Sequence, residues 1–214
     1  MVSVLLIALF GCDRSDAPSV SLEEVYPWQI VVLPDGRSRV FGITLDGSRL
    51  SDAVAILGQD FKLALFENQG ESLTLEAYYQ EVTRGGLSGR MVLVLRAEPP
   101  ELEAMRARAV KRRVLDSGAV RYTLTSQDYR TAMEKTIYGL NYIPYINLDE
   151  EIVRSRFGEP AERIVVDPAR QHWLYPDKGL DLLLDEEGKE LLQYVAPAGF
   201  GRLRQPLLRQ PAPS

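Results

Sequence analysis

One stretch, from Ile146 to Pro197, constrains this chain more than any other, because its turn residues divide it into one helix and four short strands. It runs N-L-D-E-E-I-V-R-S-R-F-G-E-P, then A-E-R-I-V-V-D, H-W-L-Y-P, G-L-D-L-L-L-D-E-E-G and K-E-L-L-Q-Y-V-A-P. Apolar residues at helical spacing precede Gly158, and short β-rich runs bounded by Gly, Pro and Asp follow it.

The first half of the chain echoes this stretch at an offset of one hundred residues. Leu50, Ala53, Val54 and Leu57 share a helical face, with Ser51 placed to cap the start and Gly58 the end. Gly58 aligns with Gly158, Leu57 with Phe157 and Ala53 with Val153. Strands are expected over Phe61 to Glu67, Leu73 to Val82 and Arg90 to Ala97. The first of these sits against Ala161 to Asp167; with gaps, Tyr78-Tyr79 falls near Trp173 to Tyr175, and Met91 to Leu95 near Leu180 to Leu184. Ahead of them, Asp35-Gly36 between Trp28–Leu33 and Ser38–Ile43 signals a hairpin. Between the two halves, Pro99 to Leu115 reads as one long helix with acids leading and bases trailing, stopped by Ser117-Gly118. Ala119 to Leu124 reads as a strand, and Thr125-Ser126-Gln127-Asp128 as the opening of a second helix reaching about Tyr138. Residues 199–214 show no period.

At 214 residues, 45% hydrophobic and 26% charged, the chain can bury one sizeable core or two small ones. A net charge of -5 gives no global case for nucleic-acid binding. The only cysteine, Cys12, closes the apolar run Val2 to Phe10. That run is too short to span a bilayer, which takes ~20 residues, and has the form of a secretory leader. The L-F-G-C ending resembles a bacterial lipobox, in which Cys12 would be acylated and become the mature N-terminus, although no Lys or Arg stands in Met1-Val2-Ser3-Val4. The polar Asp13 to Ser19 segment suits a tether. Asp13 resembles the residue that retains lipoproteins in the inner membrane of enteric bacteria.

Catalytic chemistry finds little to work with. His172 is the only histidine, no G-x-S-x-G elbow is present, and His172 reads as a half-buried strand residue. Asp149-Glu150-Glu151 reads as the first turn of a helix and Asp185-Glu186-Glu187-Gly188 as a hairpin loop, neither with the spacing of a calcium site. No metal or cofactor is expected. Arg108, Lys111, Arg112 and Arg113 form a candidate contact for anionic headgroups, and Tyr142, Tyr145, Trp173 and Tyr175 a candidate interaction surface.

The helix ending in Phe157-Gly158-Glu159-Pro160, the strand after it, the aromatic pair at Trp173 and Tyr175 and the apolar strand turning at Asp185–Gly188 resemble the small envelope lipoproteins typified by BamE (SmpA/OmlA). They are looser in likeness to tandem modules of the β-lactamase-inhibitor-protein type. The resemblance implies helices packed on an antiparallel sheet and binding to other envelope proteins without catalysis. In place of the usual Gly-Met-Thr-like opening of the module helix stands Asn147-Leu148-Asp149-Glu150.

The expectation is therefore an α+β protein of two related helix-on-antiparallel-sheet units joined by a helical segment. Residues 1–11 would be a signal peptide, 12–24 a lipid-attached tether, 25–98 the first unit, 99–140 a helical connector, 141–198 the second unit and 199–214 a flexible tail. The expected role is a lipid-anchored scaffold or assembly factor facing the periplasm, held to the membrane through Cys12 and bound to another envelope protein. The alternative is a carrier or sensor holding a lipid-like or cell-wall ligand between the units.

Overall fold

The computed structural model describes residues 25–68 and 72–209; the leader, Cys12 and the tether expected over residues 1–24 lie outside them. Strands β1 (Val31–Val32) and β2 (Ser38–Val40) form the expected hairpin, with the Asp35 carboxylate accepting from the Arg37 backbone N–H at 3.1 Å in the turn. Strand β3 (Ile43–Thr44) pairs with β2 to complete a small three-stranded sheet. Helix α1 (Leu50–Leu57) starts at Arg49, whose backbone N–H donates to the Asp52 carboxylate at 2.8 Å, so the capping acid lies three residues on and Ser51 is already inside the helix.

Strands β4 (Lys62–Glu67), β5 (Thr74–Arg84) and β6 (Leu87–Leu95) follow. After them come helix α2 (Pro99–Ala107), strands β7 (Lys111–Val114) and β8 (Val120–Thr123), helix α3 (Ser126–Met133) and strand β9 (Ile137–Pro144). The last part holds helix α4 (Glu150–Phe157), strands β10 (Glu162–Asp167), β11 (Arg170–Tyr175), β12 (Leu180–Asp185) and β13 (Leu191–Val195), and helix α5 (Gly201–Leu208).

Ten of these strands make a single antiparallel sheet in the order β10-β11-β12-β13-β9-β6-β5-β4-β8-β7. The two halves of the chain meet at the pair β13–β9, where Leu192 lies opposite Tyr142 and Tyr194 opposite Leu140. The registers on either side repeat: Met91 pairs with Tyr142 on one side, Leu180 with Tyr194 on the other. Strands β4-β5-β6-β9 and β10-β11-β12-β13 are thus related by a pseudo-two-fold axis through the Asn141–Gln193 pair. One face of the sheet carries the main core, with Leu75, Ala77, Tyr79, Met91, Leu93, Leu140, Tyr142, Trp173, Leu182, Leu192 and Tyr194 all buried, as the period of two along each strand requires. Phe41 caps that core at the junction, its ring 5.0 Å from that of Tyr142. On the opposite face Leu174, Val195 and Phe200 form a second cluster under Leu203 and Leu207 of α5.

The expected fold class is overturned. The protein is mostly sheet, and its five short helices do not form a layer packed on two separate sheets. Helices α1, α2, α3 and α4 each bury only two residues and α5 none, whereas the strands supply most of the core. The two halves share one hydrogen-bond ladder through β9 and β13, because both central strands bury one face and leave their backbone groups to pair with each other. The helical connector is also wrong: α2 ends at Ala107, and Lys111–Val114 forms an outer strand paired with β8. Pairing with β8 satisfies the backbone of β7 while all four of its residues stay exposed. Helix α3 stops at Met133 and Ile137–Tyr138 already belongs to β9. The tail contains α5, whose Leu203 and Leu207 cover Leu174.

Candidate functional site

The aromatic residues expected at a contact surface are mainly core. Tyr142, Trp173 and Tyr175 are 1%, 0% and 4% exposed, and burial pushes the phenols of Tyr142 and Tyr175 up to about 12. Alternation places all three on the covered face of the sheet. Trp173 is roofed by the guanidiniums of Arg154 and Arg163, 5.5 and 4.2 Å from its ring centroid. Glu159 bridges the same two arginines at 3.3 and 3.2 Å. The F-G-E-P segment thus closes the core over Trp173. Tyr145 alone of the four is exposed, and it donates to the Gln80 carbonyl at 2.6 Å.

The basic run is divided by the end of α2. Arg108 pairs with the buried Asp128 at 2.7 Å, and this guanidinium holds the Asp128 carboxyl below the usual range. Lys111, Arg112 and Arg113 lie exposed on β7, the sheet's outermost strand, where consecutive cations suit an edge protected against pairing with other chains. His172 is more buried than expected. It hydrogen-bonds through Nδ1 to both carboxylate oxygens of buried Asp181, at 2.8 and 3.0 Å, tying β11 to β12.

The acidic clusters behave locally as expected and come together in a way their spacing does not show. Asp149 caps α4 by accepting from the Ile152 N–H at 2.7 Å. Asp185 accepts from the Glu187 N–H at 3.1 Å in the β12–β13 turn. The fold sets the first turn of α4 beside the β10–β11 and β12–β13 turns, and the three enclose a groove of about 630 Å³.

Its lining includes Asp149, Glu150, Glu151, Asp167, Asp185, Glu186 and Glu190 against one cation, Arg170. Arg170 is already committed to Asp167 at 2.6 Å, and its side-chain hydrogen bond holds that carboxyl below the usual range. Glu150 is shared between Gln171 at 2.6 Å and Arg154 at 3.3 Å. Lys189, outside the lining, donates to the Tyr145 carbonyl at 3.1 Å and to Asn147 of the lining at 2.5 Å, so its ammonium is already engaged there.

Glu190 differs from the other acids. It is 5% exposed, it shares the groove lining with buried Leu148 and Leu184, and its Oε2 has no hydrogen-bond partner among the described residues. A buried polar oxygen without a hydrogen bond is costly, since its removal from water is compensated only by a partner. Glu190 directly precedes β13 and is buried, as Leu192 and Tyr194 are at alternate positions after it. Among the described residues no three His, Cys, Asp or Glu side chains converge to hold a metal ion. The carboxylates are spread along the groove.

No protein-family model matches the chain, and no curated protein or solved structure shows significant similarity to it.

Proposed function

We propose that this protein is a non-catalytic binding factor of the bacterial envelope, anchored through lipid on Cys12 and docked onto another envelope protein. The carrying observation is the acidic groove with Glu190 at its floor, a site built for contact with an opposite charge. The L-F-G-C ending and the polar segment after it support the anchor, and the likeness of Phe157–Pro160 and Asp185–Gly188 to the small envelope lipoproteins supports the role. Anchoring would raise the effective concentration of the groove for a membrane-bound partner. Lys111, Arg112 and Arg113 would add a contact with anionic headgroups, each worth ~1 kcal/mol close to the surface.

A ligand carried between the two halves finds less support. The centre of the molecule is the paired β9–β13 ladder with Phe41 packed on Tyr142. Two measurements test the reading. Palmitate should label the full chain and should not label Cys12→Ala, and crosslinking in membranes should recover one envelope protein with the wild type. Labelling that persists without Cys12, or crosslinking that recovers no envelope protein, would sink it.

A further inference from the structure

We propose that the groove between α4 and the β10–β11 and β12–β13 turns binds basic side chains of a partner polypeptide, with Glu190 as the counterion at its floor. This rests on the binding role above and names the chemistry of the partner. Glu190 is 5% exposed with an oxygen left unpartnered, and the groove it lines carries seven carboxylates and one guanidinium. A cation from outside supplies the missing partner, and a charge-assisted hydrogen bond there forms in a water-poor setting.

The arrangement selects among cations. A metal ion needs convergent oxygens, and no such set exists among the described residues. Carboxylates distributed over three chain segments match several cations spaced along a polypeptide. Leu148, Val165 and Leu184 in the same lining offer an apolar path for the methylene stem of Arg or Lys. Glu151 and Glu186, on the rim and exposed, would steer the approach, as rim charges do.

The test is fluorescence anisotropy of the full chain with a labelled Gly-flanked tri-arginine peptide, using a tri-glutamine peptide as the neutral control and spermidine as a free-amine competitor. The tri-arginine peptide should bind with an affinity that falls as salt rises, and tri-glutamine should not bind. Glu190→Gln, which keeps the side-chain shape, should weaken tri-arginine by about tenfold or more, as loss of one member of a buried charge pair does. The exposed pair Glu151→Lys with Glu186→Lys should also abolish binding while leaving the thermal transition in place. Arg130→Gln, exposed on α3 and outside the groove lining, should leave tri-arginine binding unchanged.

Tri-arginine binding to E190Q within about twofold of wild type would overturn the proposal, as would spermidine binding as tightly as the peptide. Recovery of an envelope partner by crosslinking without any tri-arginine binding would remove this site and leave the general binding role standing. Tri-arginine binding that depends on Glu190, in a protein with no envelope partner, would do the reverse.

Discussion

The Tyr175 hydroxyl donates to the carbonyl oxygen of Gly158 at 3.0 Å, and one hundred residues upstream of that glycine Tyr79 makes the same bond to Gly58 at 3.1 Å. Both glycines end a helix with φ near +90° and extended ψ, at 91° and -179° for Gly58 and 83° and -172° for Gly158. That region is open almost only to glycine. Each helix is therefore stopped by a residue that cannot continue it, and a phenol two strands into the sheet then takes up the turned carbonyl.

Replacing Tyr79 or Tyr175 by Phe should each cost about 1 kcal/mol, the net worth of such a bond. The two tyrosines lie on β5 and β11 in different halves of the sheet, so the double variant should lose close to the sum. Urea unfolding followed by circular dichroism measures this. Single variants as stable as the wild type would show that these bonds do not hold the helix ends.

The pseudo-two-fold axis relates Tyr142 to Tyr194, yet their hydroxyls differ. Tyr194 Oη donates to the Pro27 carbonyl at 2.9 Å, whereas the buried Tyr142 Oη has no partner among the described residues. Tyr194→Phe should lose about 1 kcal/mol. Tyr142→Phe should be neutral, or more stable by about 1 kcal/mol, because it removes an unsatisfied buried group and keeps the ring. Equal losses in the two denaturation curves would mean that the N-terminal segment does not distinguish the halves.

Trp173 and Tyr145 separate core from surface among the aromatics. Trp173→Ala should cost about 3–5 kcal/mol through the cavity it leaves, and Tyr145→Ala, at an exposed position, within about 1 kcal/mol. For a chain of this size each kcal/mol moves the thermal midpoint by roughly 2–4 °C. A small shift for Trp173→Ala would put the side chain at the surface after all.

The helices α1 and α4 and the strands that follow them were legible, since each is set by local periodicity and a glycine stop, whereas Tyr78-Tyr79 could be set only near Trp173 to Tyr175, and with gaps. What could not be read locally was which strand edges meet. Nothing in the composition of β9 or β13 says that Leu192 will face Tyr142, and that single pairing turns two units into one sheet. The long helix expected over Pro99–Leu115 failed because its basic half pairs with β8 in a hairpin, from Lys111 opposite Thr123 to Val114 opposite Val120, so that Ser117-Gly118 is a strand turn and not a helix stop. The candidate site divided the same way. Asp149 and Asp185 each had a sufficient local explanation as a cap and a turn acid, and only the fold brings them into the lining of one groove with Glu190.

The pair Arg108–Asp128 gives the protein a defined response to acid. Asp128 is buried and accepts from Arg108 at 2.7 Å and from the Thr125 hydroxyl at 2.8 Å, and the Arg108 bond is the main reason its carboxyl is held below its ordinary value of 3.8. The unfolded chain, without that partner, takes up the proton at the ordinary value. The ionised form is thus favoured by folding, so the contribution is present above about pH 4 and is lost as pH falls through the lower folded-state value. Asp128→Asn should unfold at lower urea than the wild type at pH 7, and the gap should narrow steadily below about pH 4. Because Arg108 is half exposed, added salt should shrink the gap at pH 7 as well. Urea midpoints for the two proteins across that pH range provide the measurement. A gap that is the same at pH 7 and at the acid end would mean the carboxylate acts through shape alone, not through charge.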